Sequence, residues 1–329
     1  MTILLVHHPG PTATEGSAMY QLDIDTLTKR YRHETVVDDL TFTVHPGRVT
    51  GFLGPNGAGK STAMKILLGL AAATKGSATI GGKRYRELDE PARTVGVVLE
   101  PNAFHPGRSA RNHLRVLADG GGFPQRRVEE MLETVGLAAA ADRRVGAYSL
   151  GMRQRLSIAA ALLGDPPVVV LDEPGNGLDP QGIRWLRDLL RARADDGGTV
   201  FVSSHLLAEV EHLADDVVVI NRGRLVTSGA LTDLQQVGTT VRSPASAQLA
   251  QALATAGAEV SGDSDGALVV RGMTISKIGD LALAAGIALH ELSSETGSLE
   301  DLFFGWTQNE PAVPARTSTP DPIMEGASR

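Results

Sequence analysis

Along residues 20–227, short apolar runs alternate with stretches whose apolar positions recur every three or four residues. The runs Val49–Leu53, Val95–Leu99, Val168–Leu171, Val200–Ser203 and Val217–Ile220 are mostly apolar and rich in valine. Such runs read as strands covered on both faces of a sheet. Met64–Leu68 reads as a helix after the first strand. Pro124–Leu137 reads as another, with Val128, Met131, Leu132 and Val135 on one face, and Pro124 suits its first turn. The interval at about 102–165 is expected to be mostly helical. The pattern therefore predicts an α/β sheet domain over residues 20–227 with a helical insert.

Beyond Arg224 the pattern changes. Thr239–Arg242 reads as a strand, Ala245–Ala256 as a helix, and Ala258–Val260 with Ala267–Val270 as a hairpin pair. A helix at Ile275–Ala285, a strand at Ala288–Leu292 and a last helix from Ser298 follow. The order βαββαβ predicts a small ferredoxin-like α+β domain over residues 235–306. Leu299, Leu302, Phe303 and Trp306 share one face of the last helix, which is expected to dock. The leader 1–19 and the Pro-, Ser- and Thr-rich tail 307–329 are expected to be disordered.

Composition narrows the chemistry. The 329 residues are 42% hydrophobic, enough for a real core, and carry a net charge of −7, which argues against a general nucleic-acid-binding surface. There is no cysteine, which excludes disulfides and thiolate metal sites. No stretch reaches the roughly 18 consecutive apolar residues of a spanning helix. The chain is expected to be soluble or peripheral, in the cytoplasm.

The strand at Val49–Leu53 runs into Gly54-Pro55-Asn56-Gly57-Ala58-Gly59-Lys60-Ser61-Thr62. A glycine, four residues and then Gly-Lys-Ser/Thr between a strand and a helix is a phosphate-binding loop, with free amides at the helix start. Lys60 is expected to reach the β- and γ-phosphates of a nucleoside triphosphate, and Ser61 to offer its hydroxyl to Mg²⁺. Val168–Leu171 ends in Asp172-Glu173-Pro174, where Asp172 suits the metal and Glu173 a general base. His205 closes the strand at Val200–Ser203; position alone leaves it open between a structural residue and a γ-phosphate contact. Tyr148-Ser149-Leu150-Gly151-Met152 precedes a helix that Ser149 and Gly151 can cap.

Taken in this order, the motifs resemble the ATP-binding subunits of ABC transporters over about Tyr20–Thr227. The resemblance implies a phosphate-loop NTPase fold of the ABC ATPase type, hydrolysis of ATP with Mg²⁺, and His205 at the γ-phosphate. It implies that Tyr31 stacks on adenine and that Ser149 and Gly151 contact ATP held by a second nucleotide-binding subunit, by expectation an identical copy. Asp179, in Leu178-Asp179-Pro180, matches the loop that couples the two sites. A separate membrane permease would hold the chain at the inner face of the membrane. Two departures stand out: Tyr148, Leu150 and Met152 replace the usual residues of Leu-Ser-Gly-Gly-Gln, and Glu100 stands where glutamine is usual, as a metal contact that cannot donate a hydrogen bond. Both departures, with the small C-terminal domain, resemble a drug- and antibiotic-export branch that includes bacitracin- and daunorubicin-type exporters. The rival expectations are a soluble ABC-type ATPase acting on ribosomes or DNA and an ATP-dependent regulatory binder. A single cassette without cysteine disfavours the first, and the retained Lys60, Asp172, Glu173 and His205 disfavour the second.

Overall fold

The structure, a computed structural model, describes residues 20–99, 104–262 and 267–308. The expected leader, Glu100, residues 309–329 and the side chain of Trp306 lie outside the described residues. Strands β1 (Leu22–Tyr31) and β2 (Glu34–Val44) are followed by β3 (Arg48–Leu53), helix α1 (Lys60–Leu67) and β4 (Lys75–Ile80). A short α2 (Pro91–Thr94) precedes β5 (Val95–Val98). Then α3 (Ala110–Gly121), α4 (Arg126–Thr134) and α5 (Leu150–Ala161) lead to β6 (Val168–Asp172). The chain continues through α6 (Pro180–Asp195), β7 (Thr199–Ser204), α7 (Leu207–Glu211), β8 (Asp216–Asn221) and β9 (Arg224–Ala230). Its last part comprises α8 (Leu231–Leu234), β10 (Gln236–Arg242), α9 (Ser246–Thr255), β11 (Glu259–Gly262) and β12 (Leu268–Arg271). α10 (Ile275–Ala284), β13 (Glu291–Thr296) and α11 (Leu299–Gln308) complete it.

Six strands form the central sheet in the order β5-β6-β7-β3-β8-β9, parallel except for the β8–β9 hairpin. Helices α3 to α6 cover one face, where Leu114, Leu132, Leu156, Leu186 and Leu190 meet Val169, Leu171 and Val200. The other face packs on α1 and on a three-stranded antiparallel sheet, β2-β1-β4. Phe42, Phe52 and Phe201 join these layers, with ring centroids 5.1–5.8 Å apart. Burial on both faces is why β6 consists of Val-Val-Val-Leu-Asp with every residue buried.

The C-terminal sheet has the order β11-β12-β10-β13, all antiparallel. α9 and α10 cover it through Leu249, Leu253, Ile278 and Ala282 against Val241, Leu268 and Val270. α11 then returns to the central sheet, where Leu299 is fully buried among Leu53, Val210, Val217, Val219 and Leu231. Among the described residues no helix is long and apolar enough to cross a membrane.

Several elements differ from the sequence reading: α1 starts at Lys60, ahead of Met64, and β10 at Gln236, ahead of Thr239. α4 starts at Arg126 with Gln125 as its N-cap, so Pro124 lies outside the first turn. The final strand is Glu291–Thr296 instead of 288–292. Leu289 and Leu292 both pack on the C-terminal core, but pairing with β10 begins only at Glu291, opposite Arg242. The rest of this edge strand is polar, and polar edge strands leave no apolar run to read.

Candidate active site

After Leu53 the chain turns through Gly54–Gly59 before α1 begins at Lys60. A Cβ on Gly59 would stand 2.6 Å from the Val36 carbonyl at φ +105°, so the turn requires glycine there. Among the described residues no side chain caps α1, which leaves its first amides available to an anion. Lys60 folds back into the loop, only 6% exposed, and its Nζ donates to the carbonyls of Gly54 at 2.6 Å and Pro55 at 3.4 Å. Glu173 Oε1 lies 3.7 Å from that nitrogen. Burial pushes the Lys60 ammonium below its ordinary range, against the opposing pull of Glu173 and Asp172. A cation held so favours the arrival of more negative charge. Ser61, the next residue of α1, is exposed.

Asp172 ends β6, and Glu173 follows with φ +50°, the left-handed region that a side chain disfavours. Such backbone strain costs about 1–3 kcal/mol and persists where neighbours over-determine it. Here Ser203, paired with Asp172 across β6 and β7, donates its hydroxyl hydrogen to Asp172 Oδ1 and accepts from the Glu173 amide at 2.9 Å. The other neighbours are Lys60 and His205. Glu173 Oε2 lies 2.7 Å from His205 Nδ1, and since an ionised carboxylate only accepts, the Nδ1 carries the hydrogen. Glu173 thus sits between Lys60 and His205 at the carboxyl ends of β6 and β7, where ligands of open α/β sheets bind.

Two residues of this site carry no sequence motif. Ser203 could have been found only from the register of β6 on β7. Glu209, four residues after His205, lies so close to Gly175 that a Cβ there would stand 2.6 Å from its Oε2. Burial pushes its carboxyl up, Glu173 adds to this and His205 opposes it.

The other expected site residues lie in separate places. Ser149 is the N-cap of α5 and accepts from the Met152 amide at 3.2 Å. Gly151 packs on the carbonyl of Gly177, where a Cβ would approach to 2.7 Å. Asp179 caps α6, accepting from the Gly182 amide at 2.8 Å. Ser149, Gly151 and Asp179 therefore flank the loop that follows Glu173, apart from the Lys60–Glu173–His205 cluster. Tyr31 ends β1 with its ring 47% exposed and the Lys29 ammonium 4.6 Å from its centroid. The adjoining strand β2 reaches the phosphate loop through Val36 and Val37 at Gly59.

The donors near Lys60 suit a hard divalent cation, since the Ser61 hydroxyl and the buried Asp172 carboxylate are oxygen ligands. A parallel sheet with this loop, and acids at the end of a second strand, defines a phosphate-loop NTPase. Comparison with known proteins narrows the class. The ABC transporter family matches residues 37–176, and a family described only as a domain of unknown function matches residues 237–300. The ABC transporter ATP-binding protein YhcH of Bacillus subtilis is 41% identical over 62% of this chain and 68% of its own length. The bacitracin transport ATP-binding protein BcrA of Enterococcus faecalis is 40% identical over 66% of this chain and 71% of its own. The lantibiotic transport ATP-binding protein SrtF of Streptococcus pyogenes is 39% identical over 62% of this chain and 89% of its own. A solved ATP-binding subunit of an ABC transporter superposes with a TM-score of 0.60, at 31% identity over 65% of this chain and 91% of that one. The chain belongs to the ABC transporter ATP-binding proteins, which are ATP hydrolases.

Proposed function

We propose that this chain binds and hydrolyses Mg²⁺-ATP between two copies of itself and thereby drives a separate membrane permease that exports an antibiotic, a drug or another hydrophobic compound. The observation that carries the hydrolytic reading is Glu173 between Lys60, at 3.7 Å, and His205, at 2.7 Å. In this reading the Gly54–Thr62 loop and Lys60 bind the phosphates, and Tyr31 offers an exposed ring to the base. Ser61 and Asp172 would hold the metal, whose charge helps the phosphates accept the negative charge that develops on them. Glu173 takes the proton of the attacking water, and His205 orients Glu173 and contacts the γ-phosphate. Ser149 and Gly151 serve the ATP of the second subunit, and Asp179 couples the two sites.

The resemblance to BcrA and SrtF, named for bacitracin and lantibiotic transport, supports the export assignment. The same resemblance supports a place at the inner membrane face through the permease, and Glu100 as a metal contact. Residues 20–227 would be the ATPase domain, with its helical part at about 102–165, and 235–306 a distinct small domain. The test is Glu173→Gln in the purified chain. Turnover should fall about 10²–10⁴-fold while ATP still binds. Unchanged turnover would remove Glu173 as the base. Copurification of the tagged chain with a polytopic membrane protein checks the permease.

A further inference from the structure

We infer that Gln154 is a positioning residue that ties the N-terminal end of α5 to Glu173 of the same chain; the inference rests on the roles proposed above for Glu173, Ser149 and Gly151. Gln154 lies in the second turn of α5 and is wholly buried. Its Nε2 donates to the carbonyl of Pro174, the residue after Glu173, at 2.9 Å. A peptide carbonyl only accepts, so this bond fixes which end of the amide faces Pro174. The other end, Oε1, is buried without a hydrogen-bond partner among the described residues.

An unpartnered buried carbonyl carries a desolvation cost, and an apolar side chain of similar shape would avoid it only by leaving the Pro174 carbonyl without its donor. What the glutamine adds at the cost of that carbonyl is its bond to Pro174. Glu173 holds a left-handed backbone at φ +50°, which neighbours must maintain. Ser203 fixes its amide from β7, and Gln154 fixes the next residue from α5. A second grip lies further along the same loop. Gly151 packs on the Gly177 carbonyl, and the Leu150 side chain stands 2.4 Å from where a Gly177 Cβ would lie. Within the loop, the Asn176 amide donates to the Glu173 carbonyl at 3.2 Å and the Leu178 amide to that of Gly175 at 3.1 Å.

α5 thus holds residues 173–178 near both ends. Ser149 and Gly151, which serve the second subunit's ATP, ride on the helix that orients this chain's own acid. Closure around one ATP would then set the Glu173 that acts on the other.

The test uses Gln154→Leu and Gln154→Met in the full chain, with and without Glu173→Gln. In the folded variants, beyond what any fall in the melting midpoint produces across the central sheet, hydrogen exchange at the Asn176 and Leu178 amides should quicken about tenfold or more. Turnover should fall about tenfold to a hundredfold, as for a slightly misplaced catalytic group, with ATP affinity within about twofold. In the Glu173→Gln background, replacing Gln154 should cost nothing further, because both changes act through the same carboxylate. Unchanged exchange in either folded variant overturns the link, and losses that multiply overturn the route through Glu173. If Glu173→Gln alone leaves turnover intact, the base assignment fails, while the exchange result still decides the link.

Discussion

At Lys60 burial and charge act in opposite directions. Desolvation lowers the ammonium's pKa, the carboxylates of Glu173 and Asp172 raise it, and burial wins. The unfolded lysine titrates near 10.5. Between the lowered folded value and 10.5 the unfolded chain binds a proton that the folded chain does not, so stability rises with pH across that window. Below the window both states are protonated and the penalty is constant. Lys60→Met has no such group. Urea titrations of the ligand-free proteins from neutral pH towards 10.5 should therefore show the parent gaining stability relative to the variant. A parent that loses ground as pH rises would contradict the burial argument. Saturating ATP should stabilise the parent by about 2.7 kcal/mol at a hundredfold excess over Kd, and the variant far less.

The elements explain why some of this site was legible in the sequence and some was not. The loop at Gly54–Thr62 could be read because a glycine-rich turn between a buried strand and a helix is a local pattern. Asp172 and Glu173 could be read because they end an apolar run. By contrast β1 and β2 mix buried with exposed residues, β9 is only half-buried at most, and no continuous apolar run marks any of them. Ser203 and Gln154 act across 31 and 20 residues of chain through strand register and helix packing, which no local spacing encodes.

Tyr148 shows the same limit from the other side, since the sequence marks it only as a departure from the usual signature. In the structure it is a core residue, 3% exposed, whose hydroxyl donates to the Ala140 carbonyl at 2.7 Å. The departure lies in the packing of the helical layer, while Ser149 keeps its cap. Tyr148→Phe should cost about 0.5–1.5 kcal/mol in denaturant unfolding, the net worth of one hydrogen bond, with turnover intact. A tenfold loss of turnover at unchanged stability would place Tyr148 in the ATP site after all.

At the scale of the whole molecule, the C-terminal sheet is fastened to the ATPase part at its entry and at its exit. Glu211, the last residue of α7, accepts from the Gln235 side chain at the entry and from the Leu299 amide, at 3.2 Å, at the exit. Below that carboxylate Leu299 fills a cluster with Leu53, Val210 and Leu231. Leu53 is the residue before the phosphate loop, and α7 begins two residues after His205. Val210 is itself pressed onto β3, since a Cβ on Gly51 would stand 2.5 Å from its Cγ1. The C-terminal part therefore contributes core to the region that carries the ATP site. Truncating a buried leucine costs about 2–5 kcal/mol when the cavity does not collapse. Leu299→Ala should accordingly lower the melting midpoint of the transition that ATP stabilises. If ATP-stabilised melting stays in place while a separate C-terminal transition moves down, the two parts fold independently and α11 is only a tether.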